Sequence, residues 1–267
     1  MIRTRSATAT VIAVANQKGG VAKTTTVASM GAALSQRGQR VLLVDLDPQA
    51  CLTFSVGYDP ESIGCSVHQV LLGDVSADEA VIETEEGSDL LPATIDLAMA
   101  EQLLLTRTGR EQLLKLALQP LLESYDFIVI DCPPTLGILT TAALTASDGV
   151  LIPLQCETLS HRGVGQLLDT IYDVKKFTNR RLSVIGVLPT LFDGRTAHSR
   201  TVLERIGDDY GVPVLSPPIP KSIRFAEAPA VGRTVLSTAR STKGAAAYRD
   251  HAEQLLTLRG ISSWPKP

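Results

Sequence analysis

The chain has 267 residues, 44% hydrophobic and 20% charged, with 20 glycines and 15 prolines. That length supports one large or two small domains with a real core, and the composition excludes coiled-coil, collagen-like and disordered chains. The net charge of −3 hides a division, since residues 1–161 carry 9 Lys/Arg against 19 Asp/Glu and residues 162–267 carry 16 against 9. A basic C-terminal half points to a nucleic-acid or membrane-surface partner, or simply to a solvated basic face.

In chain order, Val11–Asn16 is an apolar, β-branched run that reads as a buried strand ending in a glycine turn. Thr24–Gln36 follows with Val27, Met30, Gly31 and Leu34 at helical spacing, closed by Gly38. Arg40–Asp45 is a second strand. Residues 57–87 are polar and mixed, with a short helix expected at Val67–Leu72. A strand at Asp89–Pro92 precedes helices at Ile95–Leu105 and Gly109–Glu123. Asp126–Asp131 is a third clear strand, stopped by Cys132-Pro133-Pro134. Leu136–Ala146 reads as helix, Gly149–Leu154 as strand, Thr158–Phe177 as a long helix and Leu182–Leu188 as strand. Ala197–Tyr210 is helical, Val212–Leu215 a short strand, Ser216–Pro220 a proline-rich loop and Lys243–Leu258 the last helix.

Strands poor in charge that alternate with helices predict an α/β fold: one doubly wound, mostly parallel sheet flanked by helices. With no internal repeat or linker, the expected division is a flexible extension at 1–10, one domain at 11–259 and a tail at 260–267. No apolar run reaches the ~20 residues of a membrane span, and the apolar stretch after the basic start is too short for a signal peptide, so a cytoplasmic location is expected. The four cysteines are far apart and form no CxxC, which reads as reduced, buried thiols rather than a metal site.

The segment Gln17-Lys-Gly-Gly-Val-Ala-Lys-Thr-Thr25 lies between the first strand and the first helix, where an α/β sheet cradles phosphates with backbone N–H groups. Lys23 and Thr24 fit the lysine that reaches the terminal phosphates and the hydroxyl that ligates Mg²⁺. The pattern G-x-x-x-x-G-K-[ST] is broken twice, by Gln17 and Ala22. Asp131 ends an apolar strand, where a carboxylate would hold Mg²⁺, commonly through water. Asp45 and Asp47 end the second strand, and ligands of open α/β sheets bind beyond such ends.

Together these motifs resemble the ParA/Soj ATPases. Lys18–Thr25 is similar to their deviant phosphate loop, Val44-Asp-Leu-Asp-Pro-Gln49 to their second motif and Val129-Ile-Asp-Cys-Pro-Pro134 to their third. Asn16-Gln17, Phe192–Thr196 and Ile219–Pro229 extend the likeness over about Val11–Tyr248. It implies a P-loop ATPase that binds ATP through Lys18, Gly19, Gly20, Val21, Ala22, Lys23, Thr24 and Thr25, with Mg²⁺ at Thr24 and Asp131 and weaker support from Asp45. ATP would bring two subunits face to face, with Lys18 reaching the partner's nucleotide and Asp47 positioning the attacking water. The ATP dimer would bind DNA without sequence preference through Arg195, Lys221 and Arg224, on the nucleoid, and a ParB-like centromere-binding protein would stimulate hydrolysis. An alternative is an orphan relative positioning a non-DNA cargo or division component.

Three further readings are disfavoured. A membrane-bound relative like MinD needs a C-terminal amphipathic helix, which Pro265 and Pro267 oppose. The nitrogenase iron protein needs paired cysteines. A ligase such as dethiobiotin synthetase has no use for Lys18. Ala22 stands where most members have glycine; a positive φ there would cost ~1 kcal/mol, and a methyl crowding the phosphates would slow hydrolysis while leaving ATP binding in place. For Arg224, a pair with Glu227 one turn on is the structural alternative to DNA contact.

Overall fold

A computed structural model describes residues 8–156, 160–194 and 197–259. The strands are β1 (Thr10–Val14), β2 (Val41–Asp45), β3 (Ile82–Glu83), β4 (Asp89–Leu91), β5 (Phe127–Asp131), β6 (Gly149–Gln155) and β7 (Ser183–Thr190). The helices are α1 (Lys23–Gln36), α2 (Cys51–Ser55), α3 (Val67–Leu72), α4 (Ala77–Ala80), α5 (Leu97–Leu104), α6 (Leu113–Leu118), α7 (Ile138–Ala146), α8 (Ser160–Phe177), α9 (Ala197–Tyr210), α10 (Arg224–Glu227), α11 (Val235–Thr238) and α12 (Lys243–Arg259). The seven strands run β3-β4-β2-β5-β1-β6-β7, and all neighbours are parallel except β3 with β4.

Alternation along each strand sorts side chains onto two covered faces. Val11 and Ala13 of β1 join the core that includes Leu97, Leu114, Leu139 and Leu167, whereas Ile12 and Val14 join the core of α1 and α12. β2 and β5 are buried at every position, as strands covered on both faces must be. On the α1 side Gly31 lets the helix close on β2, since a Cβ there would sit 2.6 Å from Leu43 Cδ2. Tyr248 of α12, fully buried, ties its hydroxyl to Thr26 of α1 at 3.1 Å.

Several expected elements have different limits. The helix read at Gly109–Glu123 is α6 flanked by 3₁₀ turns at Arg110–Gln112 and Gln119–Leu121, and Pro120, which has no N–H to donate, interrupts the α-helical ladder at the second. The strand read at Val212–Leu215 is one isolated bridge, Val214 to Val187. Val187 N donates to Pro213 O and Leu215 N donates to Val187 O, both at 2.8 Å, while Pro213 and Pro189 have no N–H to extend the ladder to either side. The mixed stretch contains α4 and β3 besides α3, and α2 stands where no helix was read.

Candidate functional site: a phosphate loop and two acidic strand ends

The register aligns the chemistry. Val14 pairs with Asp131, and Asp131 with Asp45, so three parallel strands end at one level. The phosphate loop therefore leaves the sheet beside both carboxylates.

Neighbouring strands hold the loop. Asn16, 3% exposed, donates from Nδ2 to Pro153 O of β6 at 2.7 Å and accepts from Lys18 N at 3.0 Å. Thr190 at the end of β7 donates to Val21 O at 2.9 Å, and Lys23 Nζ donates to Lys18 O at 3.2 Å. Gly20 has φ +75°, and among the described residues, its chain neighbours aside, no atom lies within 4 Å of where a Cβ on Gly19 or Gly20 would sit. A phosphate group approaching the backbone needs that open space. α1 begins without a side-chain cap and without an acidic residue in its first turn, which leaves its N-terminal N–H groups for an anion.

Ala22, the N-cap of α1, is left-handed at φ 64° and ψ 36°. The sequence departure thus falls where glycine is favoured, at a cost of ~1 kcal/mol.

Lys23 is the cation of the site. Burial lowers its ammonium below the ordinary lysine value, opposed by the nearby Asp131, Cys132 and Asp47. A desolvated lysine beside an open backbone cradle gains most when an anion arrives. Thr24 Oγ1 donates to Asp131 Oδ2 at 2.6 Å, while Asp131 Oδ1 is buried without a hydrogen-bond partner. Burial, reinforced by Asp45, raises the Asp131 carboxyl well above the usual range. An orphaned carboxylate oxygen beside a threonine hydroxyl is a hard-oxygen donor pair that fits Mg²⁺, which takes few protein ligands and keeps several waters.

Asp45, expected to give only weaker support, is bonded within its own turn. Asp45 Oδ1 accepts from Asp47 N at 3.1 Å, and Oδ2 accepts from both Thr53 N and Thr53 Oγ1 at 2.8 Å. Both oxygens are occupied within the turn, so the geometry makes Asp45 a brace for Asp47 more than a metal ligand. Burial pushes the Asp45 carboxyl up to about 6. Asp47 is partly exposed, accepting from Gln49 N at 3.0 Å.

Thr53 was not singled out from the sequence, yet its hydroxyl also accepts from Ala93 N at 3.0 Å, tying the acidic turn to β4. A hydroxyl eight residues after Asp45 was the available signal. Asn16 was read only as part of a motif, although a polar residue closing an apolar strand marks a bonded position.

Of the residues expected to meet DNA, Lys221 and Arg224 are not part of this cluster. Arg195 lies outside the described residues. Lys221 and Arg224 are exposed, and Arg224 pairs with Glu227 at 2.9 Å, as the structural alternative anticipated. Among the described residues no group of three or more His, Cys, Asp or Glu is placed to hold a metal, and no helix is long and apolar enough to cross a membrane.

A parallel sheet with a glycine loop between β1 and α1, and a carboxylate on the adjacent strand end, defines a P-loop nucleoside-triphosphatase fold. Residues 9–184 match the AAA domain family. The sporulation initiation inhibitor protein Soj of Bacillus subtilis is 42% identical over 246 residues, spanning 92% of this chain and 97% of Soj. The chromosome partitioning protein ParA of Caulobacter vibrioides is 38% identical over 92% of this chain and 94% of ParA. The chain belongs to the ParA/Soj family of P-loop ATPases. The crystal structure of a Mycobacterium smegmatis protein called cobyrinic acid a,c-diamide synthase, with bound ATP analog and magnesium, is 55% identical with a TM-score of 0.86, over 96% of this chain and 98% of that one.

Proposed function

We propose that this protein is an ATP-driven dimerising switch that holds DNA without sequence preference and serves chromosome or plasmid segregation with a ParB-like partner. The observation that carries the ATP–Mg²⁺ assignment is the Thr24–Asp131 contact with its free buried Oδ1 beside an open glycine cradle. The ATP analog and magnesium in the M. smegmatis structure support it. Thr24 and Asp131 would hold the magnesium, which would supply charge neutralisation on the terminal phosphates. The phosphate-loop N–H groups and Lys23 hold the nucleotide, and Asp47, fixed by Asp45, orients the attacking water. Lys18 offers its ammonium to the second subunit's nucleotide, stabilising charge as an arginine finger does. Phosphoryl transfer depends on such positioning, so Asp47→Ala should retain ATP binding and lose ~10²-fold in turnover, read by phosphate release.

Lys221 and Arg224 support the DNA part. The Arg224–Glu227 pair is more than half exposed at both ends, a kind of pair worth ~0–1 kcal/mol, so Arg224 can turn to a DNA phosphate at little cost. Arg224→Glu should abolish ATP-dependent DNA shifts at physiological salt while leaving dimers intact by sizing. Undiminished DNA affinity in the folded variant would remove Arg224 from the interface. Loss of dimers together with DNA binding would make Arg224 a structural residue.

The name of the 55% identical structure favours a second reading, ATP-driven amidation of a corrinoid carboxylate. Offering ATP, glutamine and cobyrinic acid decides between the two. Diamide product would establish the synthase, whereas ATP turnover stimulated by DNA and partner without product would establish the switch.

A further inference from the structure

The chain leaves β1 for the phosphate loop by way of a side chain. Ala15 N donates to Leu151 O of β6 at 3.1 Å. Main-chain donors that face one neighbour in a parallel ladder recur every second residue, so the next rung would put Gln17 N on Pro153 O. Asn16 takes that acceptor with its side chain instead, its Nδ2 donating to Pro153 O at 2.7 Å. Pro153 has no N–H to offer β1 in return, so the ladder ends there and the backbone turns out of the sheet.

The other end of the same amide sets the turn. Asn16 Oδ1 accepts from Lys18 N at 3.0 Å, and Lys18 O accepts from Lys23 Nζ at 3.2 Å. Three bonds in series thus run from the sheet to the ammonium of the site, from Pro153 O through Asn16 and the backbone of Lys18 to Lys23. The partners fix which end of the amide is which, since a carbonyl needs a donor and an N–H an acceptor. Asn16 and Lys23 are both buried, so water does not take the place of a lost member.

Asn179 makes the same kind of bonds at the opposite edge of the sheet, just before β7. Its Oδ1 accepts from Arg181 N at 3.2 Å, and its Nδ2 donates to Leu144 O and Ser147 O at 3.1 and 2.6 Å. It is buried as well. There the bonds hold a turn, whereas at Asn16 they end on the cation of the cradle.

We propose that Asn16 is a positioning residue for the nucleotide: through the backbone of Lys18 it aims the Lys23 ammonium at the terminal phosphate. The proposal rests on the assignment of this loop to ATP. Lys23 gives one of its three N–H groups to Lys18 O, which leaves two for phosphate oxygens and sets where they point. ATP offers that ammonium one phosphate more than ADP does, so an ammonium no longer aimed costs ATP more.

The test is calorimetry of a non-hydrolysable ATP analogue and of ADP, each with Mg²⁺, on wild type, Asn16→Ala, Asn16→Ser and the control Asn179→Ala, with thermal melting of the same samples. Asn16→Ala removes both bonds, and affinity for the analogue should fall ~10-fold or more while affinity for ADP falls no more than ~3-fold. Asn16→Ser keeps a hydroxyl that can accept from Lys18 N, as serine does in such turns, so it should recover part of the ratio and carries the test if the alanine variant does not fold. Asn179→Ala should melt below wild type with the ratio of the two affinities unchanged.

Equal losses for both nucleotides in the Asn16 variants, or a ratio that moves as far in Asn179→Ala, would make Asn16 a structural residue and overturn the proposal. So would an Asn16→Ala protein that melts lower and binds both nucleotides as wild type does. A wild type that binds neither nucleotide would overturn the ATP assignment of the loop, and the proposal with it.

Discussion

The two turns that leave β1 and β2 enter their helices by the same device and use it to opposite ends. Ala22 caps α1 with φ 64°, and Ala50 caps α2 with φ 51°, both left-handed and neither supplying a side-chain cap. After β2 the turn is closed on itself. Asp45 accepts from Asp47 and Thr53, Asp47 Oδ1 accepts from Gln49 N, and Asp47 O accepts from Ala50 N at 2.8 Å. After β1 the turn is anchored to neighbouring strands, by Asn16 on Pro153 O and by Thr190 on Val21 O, with Lys23 bonded to Lys18 O within it, and its glycines face open space. One turn spends its polar groups on rigidity and the other keeps them for a ligand. A rigid carboxylate next to an open anion cradle is the division that phosphoryl transfer asks for.

Breaking the open turn should have the largest effect. Lys23→Ala removes the one buried cation facing the cradle among the described loop residues, and calorimetry should show ATP affinity falling at least ~100-fold. Breaking the closed turn should separate binding from chemistry. Thr53→Val keeps the shape of a fully buried side chain but orphans Ala93 N and removes a donor from Asp45. We expect a stability loss of ~1–3 kcal/mol, a clear drop in turnover and ATP affinity within ~2-fold of wild type. A Thr53→Val chain that hydrolyses ATP normally would show that Asp47 needs no brace.

The smallest effect sharpens the comparison. Ala22→Gly and Ala50→Gly each relieve a left-handed alanine, offset by the greater freedom of glycine in the unfolded chain, for a net gain of up to ~1 kcal/mol. The two should raise the melting temperature alike. Turnover should rise in Ala22→Gly alone, because only that residue lies in the phosphate cradle.

The sequence made the open turn far more legible than the closed one. Glycines, a lysine and a threonine at a strand-to-helix corner are few residues with few other uses, and Asp131 ends an unmistakable strand. Asp45 offers no such clue: two carboxylates on one strand end look alike until burial and Thr53 assign one to structure and the other to solvent. α2 was missed because its five residues are too short for helical periodicity to show. The Val212–Leu215 run has strand composition, but its ladder stops at one bridge because Pro213 and Pro189 lack the next N–H donors. α5 was legible as a helix, while the exposure of its Met99 and Leu103 was not, since apolar residues on both sides look like a well-buried helix until exposure is known.

The most direct test of the switch is retention of a non-specific DNA duplex by wild-type protein with Mg²⁺ and either ADP or a non-hydrolysable ATP analogue, at two salt concentrations. The account predicts retention with the ATP analogue alone, weakening steeply as salt rises, because a basic surface doubled by dimerisation meets phosphate. Equal retention with both nucleotides, or none with the ATP analogue at low salt, would contradict it.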